Sequence, residues 1–213
     1  MRLTVCVLLL TLVVVKPASA QLCTGNPTFR DGPYQAGGAV SLTEGLRSVE
    51  ATFAAGGESF FAGAGVGVLN FTDIDVRTAG LSAFAGAEFV TDQDDRILLC
   101  PVIRLDFAAG PDIGPVDVST VGLQGGGSIS VIASQSSDLM VVPFFGLAVL
   151  YQRINTEVGG VDTSASDTGG VADLGIGFIL NRNVGITPII SIPFAAASSD
   201  AVFTLRFTFN FGG

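Results

Sequence analysis

Residues 203–213 read FTLRFTFNFGG, and the alternation in this stretch decides the fold. Phe203, Leu205, Phe207, Phe209 and Phe211 share one parity, while Thr204, Arg206, Thr208 and Asn210 share the other. A period of two is that of a β-strand with one apolar and one polar face. In a water-soluble protein the large side chains of such a strand point into a core. In a closed sheet surrounded by lipid they point outward, and the polar side chains fill the interior. The rest of the chain has to say which face is inside.

Working upstream, strand-like runs recur at residues 35–42, 46–55, 60–71, 79–90, 96–107, 118–132, 139–155, 171–181, 184–195 and 201–211, separated by polar or Gly-rich turns. No helical period interrupts them, so the chain reads as all-β. Most runs hold ten or more residues, where a strand of a globular protein has about five or six and a tilted strand crossing a bilayer has about 9–11. On the parity that matches Arg206 the runs collect small and polar residues, among them Glu50, Glu88, Cys100, Arg104, Asp106 and Asp173. The opposite parity carries residues such as Val49, Phe53, Ile103, Leu105 and Phe107. Six charges on one face, Glu50, Glu88, Arg104, Asp106, Asp173 and Arg206, are expected to form a network in a wet interior, because an unpaired charge buried without water costs several kcal/mol.

The N-terminus has a different character. Arg2, the apolar run 5–15 and the small residues Ala18-Ser19-Ala20 have the pattern of a secretory signal peptide over residues 1–20, too short to span a bilayer. Residues 21–34 then form a Pro- and Gly-containing N-terminal segment, expected to be periplasmic, and 35–213 the strand-rich domain. Removing Arg2 and Lys16 leaves eight arginines against nineteen carboxylates, a net charge of −11, which excludes nucleic acid as a natural partner. The two remaining cysteines, Cys23 and Cys100, are expected to form a disulfide in an oxidising compartment. Such a bond ties the N-terminal segment against the lower wall of the sheet and partly plugs its interior.

Chemistry is narrowed by what is missing. The chain has no His, which removes Ser-His-Asp sites and His-bearing dyads, and Cys100 has no His to act as its base. The acidic turn Asp92-Gln93-Asp94-Asp95 and the pair Asp73 and Asp75 lack the ligand series of a calcium loop and read as solvated turns. The Gly-rich patches at 63–67 and 125–127 lack the strand-to-helix context of a phosphate loop; they read as glycines that ease curvature and make room inside a narrow sheet. No catalytic, cofactor-binding or metal-binding residues are assigned.

With a signal peptide, long alternating strands and a final strand ending in aromatics, the chain resembles the small bacterial outer-membrane β-barrel proteins over residues 35–211. The resemblance implies a closed antiparallel up-and-down barrel, of ten strands or alternatively eight, in the bacterial outer membrane. It also implies that Phe207, Phe209 and Phe211 form the C-terminal segment recognised by the barrel assembly machinery. Connections 159–170, 110–117, 72–78 and 196–200 then fall on the external side and the tighter turns 56–59, 91–95, 134–138 and 182–183 on the periplasmic side, as in such barrels. With no Trp and two Tyr, the aromatic girdles have to be built from Phe. The expected function is non-enzymatic, a structural or surface-interaction role with a lumen largely filled by polar and charged side chains. A narrow porin-like pore for small solutes is the alternative, and a secreted soluble barrel binding an apolar ligand is the third.

Overall fold

The computed structural model describes residues 24–29, 32–57, 59–71, 76–91, 96–110, 116–158, 160–194 and 200–212. They form β1 (Tyr34–Thr43), β2 (Leu46–Gly56), β3 (Phe60–Phe71), β4 (Val76–Ala87), β5 (Phe89–Val90), β6 (Ile97–Ala109), β7 (Val116–Val131), β8 (Ser134–Gln135), β9 (Leu139–Val158), β10 (Val161–Leu180), β11 (Val184–Phe194) and β12 (Val202–Phe211). Ten are long; β5 and β8 are two-residue strands that pair with β6 and β9. Every long strand pairs antiparallel with the next, and β1 pairs with β12 from Tyr34↔Phe211 to Leu42↔Phe203. The sheet therefore closes into a ten-stranded up-and-down barrel, which leaves its body no open edge. Here "lower" means the end where β1 starts and β12 stops.

The parity of the final strand is resolved by this closure. Phe203, Phe207, Phe209 and Phe211 all point outward and are exposed, whereas Thr208 and Asn210 are buried inside and Arg206 is half-buried. The outer face continues with Val49, Phe53, Ile103, Leu105, Leu147 and Val149, each at least half exposed. At the lower rim Tyr34, Phe53 and Phe211 stack with ring centroids 6.0–6.1 Å apart, and Phe209 packs 6.3 Å from Phe211. A Phe-rich aromatic cluster thus borders the outer face at the rim where the first and last strands meet, and edge-on or offset rings at these spacings attract one another.

Some sequence expectations differ from the structure. Residues 159–170, expected as the main external loop, are mostly strand: β10 begins at Val161 and pairs with β9 from Val161↔Val158 through Gly170↔Val149. Its outer half, VDTSASDTG, carries no apolar period because both faces of the ribbon are wet, so periodicity is silent there and strand pairing alone shapes it. The ribbon reverses at Gly160, whose φ of +83° suits glycine. Residues 79–90, expected as one run, break at Glu88 into β4 and β5. Pro101, Pro143 and Pro188 sit inside β6, β9 and β11 in regular register with the ladder locally open beside them, and Pro193 is the penultimate residue of β11. Pro101 of β6 falls where pairing with β4 stops, at Gly86↔Val102, and pairing with β5 begins, at Phe89↔Leu99. The acidic turn 92–95 and residues Asp73 and Asp75 lie outside the described residues.

Inside, the barrel has two levels. The lower level holds a small apolar core of Leu98, Cys100, Met140, Val142 and Ile179, and a second of Phe29, Ala54 and Phe61. The upper level is polar. The interior is therefore not polar throughout: its lower part mixes these apolar clusters with buried polar side chains such as Ser130, Thr208 and Asn210.

Candidate functional site

The polar upper level is assembled by residues that alternate inward on neighbouring strands. Glu50 on β2 reaches over β3 because β3 presents Gly65 and Gly67 on its inner face. A Cβ at Gly65 would lie 2.6 Å from both Oε1 of Glu50 and Oγ of Ser82, so any larger residue would obstruct the link. Ser82 on β4 donates to Oε1 of Glu50 at 2.6 Å, and Arg104 on β6 donates to the same oxygen at 2.8 Å. Nε of Arg104 donates to Oδ1 of Asp106, two residues along the same face, also at 2.8 Å. Arg104 is thereby held by two carboxylates, with side chains only partly exposed, which is the arrangement that offsets desolvation of all three.

The six charges of the sequence reading do not form one network. Glu50, Arg104 and Asp106 meet. Arg206 on β12 and Asp173 on β10 face the same interior space, and Arg206 is within electrostatic reach of Arg104, Glu50 and Asp173. Among the described residues neither Arg206 nor Asp173 has an ion-pair partner within 4.0 Å or a side-chain hydrogen bond. Glu88 lies apart, fully buried on the lower level, with Oε2 3.7 Å from Sγ of the fully buried Cys100. Cys23 lies outside the described residues, so its pairing with Cys100 is taken up below as a proposal.

The lower mouth is occupied by the chain's own N-terminal segment. Residues 24–29 run inside the barrel, with Asn26, Pro27, Thr28 and Phe29 buried. Oγ1 of Thr187 donates to the Gly25 carbonyl at 2.7 Å, Nε2 of Gln35 to the Pro27 carbonyl at 3.2 Å, and Nδ2 of Asn210 to the Thr28 carbonyl. Gln35 also donates to Oδ1 of Asn210 at 2.8 Å, joining the two holding residues. Gly177 lets the segment lie against the wall: a Cβ there would be 2.4 Å from Cα of Gly25. Phe29 stacks on Phe61 at 6.3 Å and completes the floor. Gln35 and Thr187 were not singled out by sequence reasoning. The available indication was a polar residue on the inward parity at a strand's lower end, which Asn210 also shows.

Above this floor a cavity of about 770 Å³ remains, running from Thr24 and Asn26 up past Arg206 and Asp173 to Gln152 and Ser166. The lumen is thus filled below, by apolar and polar side chains together with the N-terminal segment, and keeps an open space above. Among the described residues no three metal-ligating side chains gather.

No family model matches the chain, and no curated protein matches it. Solved structures do. The N-terminal β-barrel domain of Pseudomonas aeruginosa OprF is 9% identical, with 84% of this chain and 96% of that one covered and a TM-score of 0.39. The KdgM porin in complex with disordered oligogalacturonate is 9% identical, with coverage of 84% and 99% and a TM-score of 0.42. The translocator domain of the autotransporter NalP from Neisseria meningitidis is 15% identical, with coverage of 84% and 86% and a TM-score of 0.41. At such low identity the class of this chain rests on its own geometry. A closed antiparallel barrel with an apolar outer face and a polar upper lumen is a β-barrel of the outer-membrane type.

Proposed function

We propose that the chain is a non-enzymatic barrel of the bacterial outer membrane, exported by its N-terminal signal peptide, whose lumen is stoppered from below and whose upper ribbon and vestibule meet partners outside. The observation that carries this reading is the lodging of residues 24–29 in the lower mouth, held by side chains of three strands. An apolar outer face set against charges inside is stable in lipid and would be an aggregation hazard in water. Phe207, Phe209 and Phe211 then serve as the segment read by the assembly machinery during insertion. A Cys23–Cys100 disulfide anchors the stopper, since Cys23 directly precedes the described segment and Cys100 is buried on the lower level. Labelling of both thiols in the denatured, non-reduced protein would exclude that bond.

Planar-bilayer recording tests the main reading. The folded protein is expected to give no steady channel; a stable conductance from the intact chain would overturn the stopper and favour a narrow pore for small solutes. The vestibule is the observation that favours that second reading, because it already crosses the upper half of the barrel.

A further inference from the structure

Arg104 is engaged by Glu50 and Asp106, whereas among the described residues Arg206 and Asp173, of opposite charge and both in the cavity wall, have no ion-pair partner within 4.0 Å. Arg206 projects from β12 and Asp173 from β10, and the two strands are separated by β11. Both line the cavity, both are only partly accessible, and they are not within 4.0 Å of each other. Arg206 lies within electrostatic reach of Arg104, which repels it, and of Glu50 and Asp173, which attract it. A partly desolvated cation and a partly desolvated anion facing one space, yet not joined, leave hydrogen-bonding capacity that a molecule bearing both charges can meet. Below them the wall presents the rings of Phe61, Phe84 and Phe144 beside polar residues such as Gln35 and Ser128. Its volume of about 770 Å³ lies within the range of about 300–1,000 Å³ usual for small-molecule sites.

We propose that the vestibule binds a small zwitterion with an apolar substituent, an amino-acid-like molecule, its carboxylate on Arg206, its ammonium on Asp173 and its apolar group toward the phenylalanines. The charges select for the pair rather than for either sign alone. An anion without the ammonium leaves Asp173 unmet, and an amine without the carboxylate leaves Arg206 unmet. This deepens the stoppered-lumen reading, on which the closed floor of the site rests. The two fail separately, because binding is read without a current and the stopper is read by conductance.

The experiment is calorimetric titration of the folded barrel in detergent micelles with L-phenylalanine, phenylacetate and 2-phenylethylamine. L-phenylalanine is expected to bind saturably and at least about tenfold more tightly than either half-molecule. In Arg206→Gln the advantage of phenylalanine over phenylethylamine should vanish, and in Asp173→Asn its advantage over phenylacetate should vanish. Gel mobility of unheated samples verifies that each variant is folded, and the three ligands on the unmodified chain decide the matter if a variant is not. No saturable phenylalanine binding, equal binding of phenylacetate, or discrimination that survives both substitutions would overturn the proposal.

Discussion

Placing an arginine at Phe207 and comparing it with alanine at the same position measures the solvent that the outer face meets. Phe207 is the sixth of the ten residues of β12, points outward and is 46% exposed. A strand rising about 3.3 Å per residue and tilted about 40° advances about 2.5 Å per residue along the barrel axis. The strand then covers about 25 Å, the height of the apolar band of an outer-membrane barrel, and Phe207 falls about 12 Å below its upper end, near the midplane. Arg at that depth costs about 2–4 kcal/mol, whereas near an interface it costs about 0–1 kcal/mol. Phe203, the second residue of the same strand and equally outward, supplies the shallow comparison. Phe207→Arg should therefore be about 2–4 kcal/mol less stable than Phe207→Ala, and Phe203→Arg within about 1 kcal/mol of Phe203→Ala. The assay is guanidinium unfolding from lipid vesicles, with the folded fraction read by mobility of unheated samples, because the chain has no Trp to report by fluorescence. Equal Arg penalties at the two depths would refute the lipid belt.

Further outcomes follow from the interior, the ribbon and the C-terminus. Arg104→Met strips the cation from Glu50 and Asp106, whose side chains are 21% and 39% exposed, and should lower stability by about 1–3 kcal/mol in the same titration. Arg153→Met, on the wet ribbon, should change it by less than about 0.5 kcal/mol. Gly177→Val pushes a branched side chain into the space of Gly25 and should expel the stopper while leaving the barrel closed. The expected readout is a new conductance, and an unchanged conductance would contradict the packing described. Removing Gly212 and Gly213 should leave vesicle insertion intact, since β12 ends at Phe211 and Gly212 turns away at a φ of +91°; slowed insertion would mean that the two glycines belong to the assembly segment.

What could be read from sequence was the part governed by local alternation. Where one side of a strand meets an apolar surround and the other a polar lumen, as in β12 or in β6 around Arg104, the parity alone assigns each side chain its face. The same rule fails on β10 from Val161 to Thr168, where both sides are wet and the sequence has no reason to alternate. It also fails on the lower level, where Leu98 and Cys100 share the inward parity with Arg104 but meet Val142 and Ile179 instead of water. Which inward residues touch depends on stagger between strands distant in sequence. Glu50 finds Arg104 because β3 is cleared by glycine, while Arg206 and Asp173 stay apart, and neither result is written in any one strand. Gln35 and Thr187 acquire their role only when residues 24–29 arrive between them.

That arrival has a consequence for the order of folding. The seam of the barrel pairs Tyr34 with Phe211, nearly the two ends of the domain, so it is the contact with the largest loop to close and the one that topology delays longest. The stopper sits immediately before β1 and is gripped by Thr187 of β11 and Asn210 of β12. Its holding groups come together only when the last strands meet the first. Seating the stopper and zipping the seam are thus one late event, and a chain halted before its final strand would leave both the wall and the lower mouth open at once.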